Sequence, residues 1–598
     1  MLDLVQAQGT TDEQLAAHYY REGDFEKALL YYERLYSKSA SDEYYEYYLN
    51  SLLATNDYKN AQKLTEQHAK AHPGAYRFQA DIGNVLLKSG EDDKANKHFD
   101  KLIKGLDKAS VNQILDLGQA FAELNMNDRA LEVYYQGRKH IGSAYPFHFQ
   151  IAPLLGQQGD VEGMIREYLD VLEVSNGYIQ SVQNTLNRVI GFEEENKYNE
   201  VLQTELLSRV QKHPNNDIYA EMLIWMYMKQ NKFESALIQV KAMDKRNKED
   251  GERVIDLAEL ALSNYKYDVA IGAYSYVKAK GPGNYYYLDA MAGLLQALKA
   301  KVTNADYDQA AIAQLILEYK NTLDELGFRN TTASIILDYA HVKAFYESKF
   351  RSESVEEATI LLGDALELPG LNENTEARLK TELADIYVLS NNIWDASLLY
   401  GQVEKKFKYD ELGHEAKLKN ALVFYYAGDF GWAQSQLLVL KGSTSKLISN
   451  DAVELSAFIT ENIGIDSNME ALSLFAQTEL MIAQHKFDSA LAQLKLIEKQ
   501  FPGHDLGDNI LFKRAEIYAE LGQYEKAAET FMLIPEQYPF DILVDNALIE
   551  AGRIYENQLN DMEKAMAIYQ MILTDHTNSL FVVEARKRFR SLRGDKVQ

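Results

Sequence analysis

The residues with chemistry to offer are few, and their spacing suits it poorly. His68 and His72 stand four apart, which would aim two imidazoles from one helix face at a metal ion. They lie beside Pro73 with no third ligand in view, so a solvated helix end is the expected reading. Asp466, Asn468 and Glu470 begin like a calcium loop, but Ala471 fills the obligatory glycine position and Gln477 that of the bidentate acid. There is no G-x-S-x-G elbow, no phosphate-cradling glycine loop and no H-E-x-x-H pair. Gly281, Pro282 and Gly283 read as a turn, and Asn330-Thr331-Thr332 is a formal glycosylation sequon of the kind chance supplies. Cysteine is absent, which excludes disulfides, thiolate zinc sites, iron–sulfur clusters and cysteine nucleophiles. The expectation is a chain with no catalytic residue, no metal site and no cofactor.

What the residues must serve is then a surface, and composition limits which kind. At 598 residues the chain exceeds one compact core, and its nine prolines suit long helical stretches. The 62 basic and 89 acidic residues leave a net charge of −27, which disfavours nucleic acid and anionic lipid as partners. No run of residues is long and apolar enough for a membrane span. Val5-Gln6-Ala7 before Gln8 is similar to the tail of a cleavable leader, so residues 1–10 are expected to be disordered or a signal-peptide remnant. A periplasmic location is the expectation, with a cytoplasmic one as the alternative.

One phrase recurs along the chain. Gly23-Asp24-Phe25 leads into Ala28, Asn56-Asp57-Tyr58 into Ala61, Gly90 into Ala95 and Asn125 into Ala130. Asn231, Gly428 and Gly522 open later copies that lead to Ala236, Ala433 and Ala527. The marker positions run 28, 61, 95, 130, 164, 201, 236, 270, 310, 358, 396, 433, 490, 527 and 565, with Met164 and Val201 in place of alanine. An aromatic residue recurs three before the marker, as at Phe25, Tyr58 and Phe233, and four after it, as at Tyr32, Phe99 and Tyr134. Each copy is a helix, a tight turn and a second helix. The small marker lets the helices approach, and the ring one turn on is expected to fill the gap between hairpins. Thr11 with Gln14 reads as a capping box at the first helix and Ser467 with Glu470 as another.

The spacing, with Leu117-Gly118 and Phe121 or Ile82-Gly83 and Leu86, resembles the tetratricopeptide repeat. The resemblance covers roughly residues 10 to 590. It implies an all-α, right-handed superhelical solenoid of about fifteen hairpins, with the forty tyrosines mostly core rings. The register stretches around 270–358 and again between Ala433 and Ala490, where an apolar helix near Ala452–Ile463 and the segments 441–446 and 464–468 intervene. The expected organisation is therefore an array over 11–300, an irregular segment over 301–465 and a second array over 466–598. Phe501-Pro502-Gly503 and Pro535 to Pro539 are similar to the tail repeats of bacterial envelope proteins, the outer-membrane-assembly lipoprotein among them.

The resemblance implies that first helices line a concave face that binds extended segments of partner proteins. Eleven residues before the marker stand Asn50, Asn84 and Gln119 in three successive units, amides able to donate to and accept from a peptide backbone. Glu46, Ala80 and Leu115 occupy the position where the related carboxylate clamp has lysine, so an acidic C-terminal tail is not the expected ligand. Trp225 and Met228 would add an apolar spot, or belong to the core in a shifted register. The basic run Arg586-Lys587-Arg588-Phe589-Arg590 is expected to complement the C-terminal helix dipole. The function that follows is a non-catalytic scaffold or adaptor for protein partners, with no small-molecule substrate. The alternative is a structural component of a periplasmic or outer-membrane machine.

Overall fold

A computed structural model describes the chain except residues 1, 193–195, 305–306, 443–444, 464–468 and 596–598; side chains are described from residue 12 onward. The capping pair at Thr11, the one at Ser467, the calcium-like Asp466 and Asn468, and the leader-like 1–10 segment therefore lie wholly or in part outside the described residues. Thirty-two α-helices and no strand are present among the described residues. Thirty of them follow one another as fifteen pairs. Lys446–Glu461, the apolar helix expected in the wide gap, and Val582–Arg593 stand outside the pairing. No described helix is long and apolar enough to cross a membrane.

Two columns of residues explain why the chain turns where it does. Gly23, Asn56, Gly90, Asn125, Gly159, Asn231, Gly428, Gly522 and Asn560 all have positive φ, and each lies five residues before a marker. Glycine and asparagine enter that left-handed region at least cost, which is why the recurrent phrase begins with them. The markers themselves are buried: Ala28, Ala61, Ala95, Ala130, Ala236, Ala270, Ala358, Ala396, Ala433, Ala490, Ala527 and Ala565 show no exposure, and Met164 only 1%. Two markers were misplaced by the reading above. Ala310 is exposed and Val201 half-buried, while Ile312 and Leu202 fill the core positions. Asn196, five before Val201, has an extended backbone at φ −138°, so the left-handed turn position is not repeated there and spacing alone misses the shift.

The ring four after the marker does more than fill a gap between hairpins. A Cβ on Gly83 would lie 2.0 Å from the Phe99 ring, and one on Gly118 would lie 2.3 Å from that of Tyr134. Each ring thus seats directly on the backbone of the first helix of its own hairpin. Phe99 then meets Phe121 of the next hairpin edge-on at 5.1 Å. Thirteen of the forty tyrosines are buried, so most are half-buried or exposed rather than core rings.

The described residues form two compact units, Met1–Leu257 and Ala258–Gln598, divided inside the helix Glu252–Ser263. Residue 300 lies within the continuous helix Tyr287–Thr303. In the second unit the helix Glu470–Ala483 packs on Glu411–Tyr426 and reaches back to Glu373–Leu389. There the amide of Gln484 donates to the Val388 carbonyl and to Asn391 Oδ1, both at 3.1 Å, across more than ninety residues of chain.

Candidate functional site

In the first unit the amide column is uneven. Asn50, on the helix Asp42–Ala54, is exposed. Asn84, on Arg77–Lys88, is only 8% exposed, contrary to the expectation of a solvated side chain, because neighbouring helices close over it. Gln119 is exposed, but its Nε2 already donates to Glu123 Oε1 at 2.9 Å. Trp225 and Met228 are half-buried on the helix Ile218–Lys229, with Trp225 edge-on to the buried Phe192 at 5.1 Å. Four tyrosines, Tyr20, Tyr32, Tyr44 and Tyr47, line a cavity of about 440 Å³ with Arg21 and Glu43.

In the second unit, first helices are linked in sequence by charge. Lys299 reaches Asp338 at 2.5 Å, His341 reaches Glu382 at 2.8 Å and Lys419 reaches Asp385 at 2.8 Å. Tyr425 Oη donates to Glu479 at 2.5 Å, and Lys513 stands 3.5 Å from the same carboxylate. Each link crosses to a new first helix, from Tyr287–Thr303 through Ala333–Phe345, Glu373–Leu389, Glu411–Tyr426 and Glu470–Ala483 to Gly507–Glu520. Burial pushes the Glu479 carboxyl above its ordinary range, with Lys513 and Tyr425 only partly offsetting it. Asp385 is raised for the same reason, against the pull of Lys419 and the Tyr400 hydroxyl. For Lys419 burial works against the charge, and Asp385 and Glu415 outweigh it, so the ammonium is held.

Between three of these helices lies a groove of about 430 Å³, lined among others by Arg378, Glu382, Asp385, Glu411 and Lys419. It offers paired charges of both signs, and nothing in it forms a nucleophile–base or acid–base pair aimed at a common point. Sequence reasoning missed it although the signal was present. The column eleven before the marker, which reads Asn50, Asn84 and Gln119 in the first unit, holds Asp385, Glu479 and Glu516 in the second, with Leu422 between the first two. Lys419 and Lys513 recur three residues earlier in their own units.

Two further expectations meet the structure differently. His68 is 1% exposed, stacked on Tyr45, and is no solvated helix end. In the basic run, Arg588 bonds Glu556 and Glu584, whereas Arg586, Lys587 and Arg590 are exposed.

The chain is thus an all-α protein of repeated helical hairpins. A family model described as "Tetratricopeptide repeat" matches residues 510–540 and 546–579, which fall on the hairpins Gly507–Gln537 and Val544–Asp575, so these C-terminal units are tetratricopeptide repeats. No curated protein matches. Among solved structures, Naa15/Naa10 bound to HypK-THB is similar at 13% identity and TM-score 0.30, over 98% of this chain and 94% of that one. Yeast Tom70 is similar at 13% and 0.27, over 97% and 99%. A tetratricopeptide repeat protein from Parabacteroides merdae is similar at 13% and 0.27, over 50% and 98%. Scores of this size describe a likeness and carry no argument about this chain.

Proposed function

We propose that the chain is a non-catalytic scaffold that holds protein partners, and that an extended partner segment lies in the mixed-charge groove of the second unit. The observation that carries this reading is the groove between first helices, where Arg378 and Glu411 are exposed beside the paired Asp385 and Lys419. Charges of both signs at helical spacing suit a peptide of matching polarity, because exchange of partners leaves no carboxylate unpaired. The amide column of the first unit is the less favoured place, since Asn84 is buried and Gln119 is engaged.

A photo-crosslinking side chain placed at Arg378, with one at Asn50 as comparison, tests this in cells of the source organism. A protein adduct specific to position 378, and an affinity for that protein reduced by Arg378→Glu, are the expected results. Adducts only at position 50, or unchanged affinity in the variant, would move the site or remove it. An envelope setting is part of the proposal, resting on the likeness of the C-terminal repeats to envelope proteins. Cell fractionation that finds the chain in the cytoplasm would remove that part alone.

A further inference from the structure

Two groups of side chains bring three metal-binding atoms within 4.8 Å of one another: Asp42 with His68 and His72, and His148 with Glu167 and Asp170. The second already holds a cation. The Arg138 guanidinium donates to both Glu167 oxygens, at 2.9 and 2.5 Å, and lies 3.4 Å from His148 Nδ1. No such group is bonded to the first, although the field of Arg77 reaches His68.

The first group is built with its imidazoles fixed. The His68 ring stacks face to face on Tyr45 at 3.9 Å and receives Phe78 edge-on at 4.4 Å. Tyr45 is itself anchored, since its hydroxyl donates to Asp81 at 2.8 Å. His72 Nδ1 lies 3.1 Å from the His68 carbonyl oxygen. A carbonyl can only accept, so that nitrogen carries the proton and Nε2 of neutral His72 is left with its lone pair. His68 Nδ1 lies 2.8 Å from Tyr36 Oη; without an ion the Nε2 proton goes to Asp42, and with one bound the tautomer shifts, Nδ1–H donating to the Tyr36 hydroxyl while Nε2 takes the ion. Ligating histidines usually give their other ring N–H to a carbonyl or similar acceptor.

Nε2 of His68 faces Asp42 Oδ1 at 3.1 Å. Ligands on a tetrahedral ion with bonds of about 2.0–2.1 Å stand about 3.3 Å apart, so the pair is already near the spacing that a shared ion requires. We propose that Asp42, His68 and His72 form a site for one divalent transition-metal ion of the zinc type, with solvent in the fourth position. Two imidazoles and a carboxylate are a donor set such ions favour, and the Asp42 side chain, 64% exposed, provides the way in. Bound there, the ion ties the start of the helix Asp42–Ala54 to the end of its partner Tyr58–Ala71.

The test uses the full chain without a histidine tag, stripped with chelator, and cobalt(II) and zinc(II) as probes. Expected are one equivalent of cobalt with the visible absorption of a tetrahedral ion, its displacement by zinc, and a melting temperature that rises with zinc. Asp42→Asn and His72→Gln avoid the buried His68 and should keep the melting temperature measured in chelator. Each should weaken cobalt binding by at least the roughly 10–100-fold that loss of an outer-shell partner costs. Substoichiometric binding, or unchanged affinity in both variants, overturns the site.

Discussion

Tyr265 occupies the left-handed turn position that other hairpins give to glycine or asparagine, at φ +59°. A side chain there puts Cβ against the following carbonyl, a cost of roughly 1–2 kcal/mol that glycine avoids. The tyrosine ring is 76% exposed, so little packing is lost with it. Tyr265→Gly is therefore expected to stabilise the chain by about 1 kcal/mol, net of glycine's greater freedom when unfolded. Urea melts of the two proteins measure this, and a loss of stability would mean the ring's edge-on contact with Tyr267 outweighs the strain. At this scale the sequence was most transparent. The alanine markers and the glycine–asparagine turns are single-residue requirements of close approach and backbone sign, which residue type reports directly.

Between elements, the links are polar, and here legibility fell. Tyr45 on the helix Asp42–Ala54 donates to Asp81 on Arg77–Lys88, one first helix to the next, as the ion pairs of the second unit do. Burial raises the Asp81 carboxyl from 3.8 to about 6, against the hydrogen bond from Tyr45 and the charge of Arg77. The folded chain holds this proton to about pH 6, whereas the unfolded chain releases it near the ordinary value. Its contribution to stability is thus greatest below about pH 4 and is lost as pH rises to about 6. Asp81→Asn keeps an acceptor for Tyr45 and removes the titration. The variant should gain on the parent between pH 4 and 6 and hold that gain above, as urea unfolding across the range would measure. Parallel pH dependence in the two proteins would show that Asp81 titrates normally. Such links join side chains more than thirty residues apart, so the sequence shows the acidic and lysine columns but not which of their members meet. Lys419 and Asp385 look like any solvated helix charges until the two helices are placed side by side. His68 misled for the same reason: Asp42, its third neighbour, lies 26 residues away in sequence.

Across the molecule, the two compact units and the helices outside the hairpin pairing argue against a single all-or-none transition, since repeat arrays unfold by neighbouring blocks. Most contacts lie within a hairpin or join it to the next, and can form as soon as those two have folded. The bond from the Gln484 amide to the Val388 carbonyl is different, closing a ring of chain 96 residues in span. Its partners meet only after the intervening hairpins are in register, so it belongs after the rate-limiting barrier to assembly and before it on the way out. Gln484→Ala removes two hydrogen bonds at a site where the parent side chain is 8% exposed, the Val388 carbonyl keeping the Asn391 N–H, a loss of about 0.5–1.5 kcal/mol for each. Stopped-flow fluorescence from Trp394, three residues from Asn391, should show that loss almost entirely as faster unfolding, with the refolding rate unchanged. Slower refolding would place the closure early, and the order in which this stretch acquires its structure would then run from the ring inward, not from hairpin to hairpin.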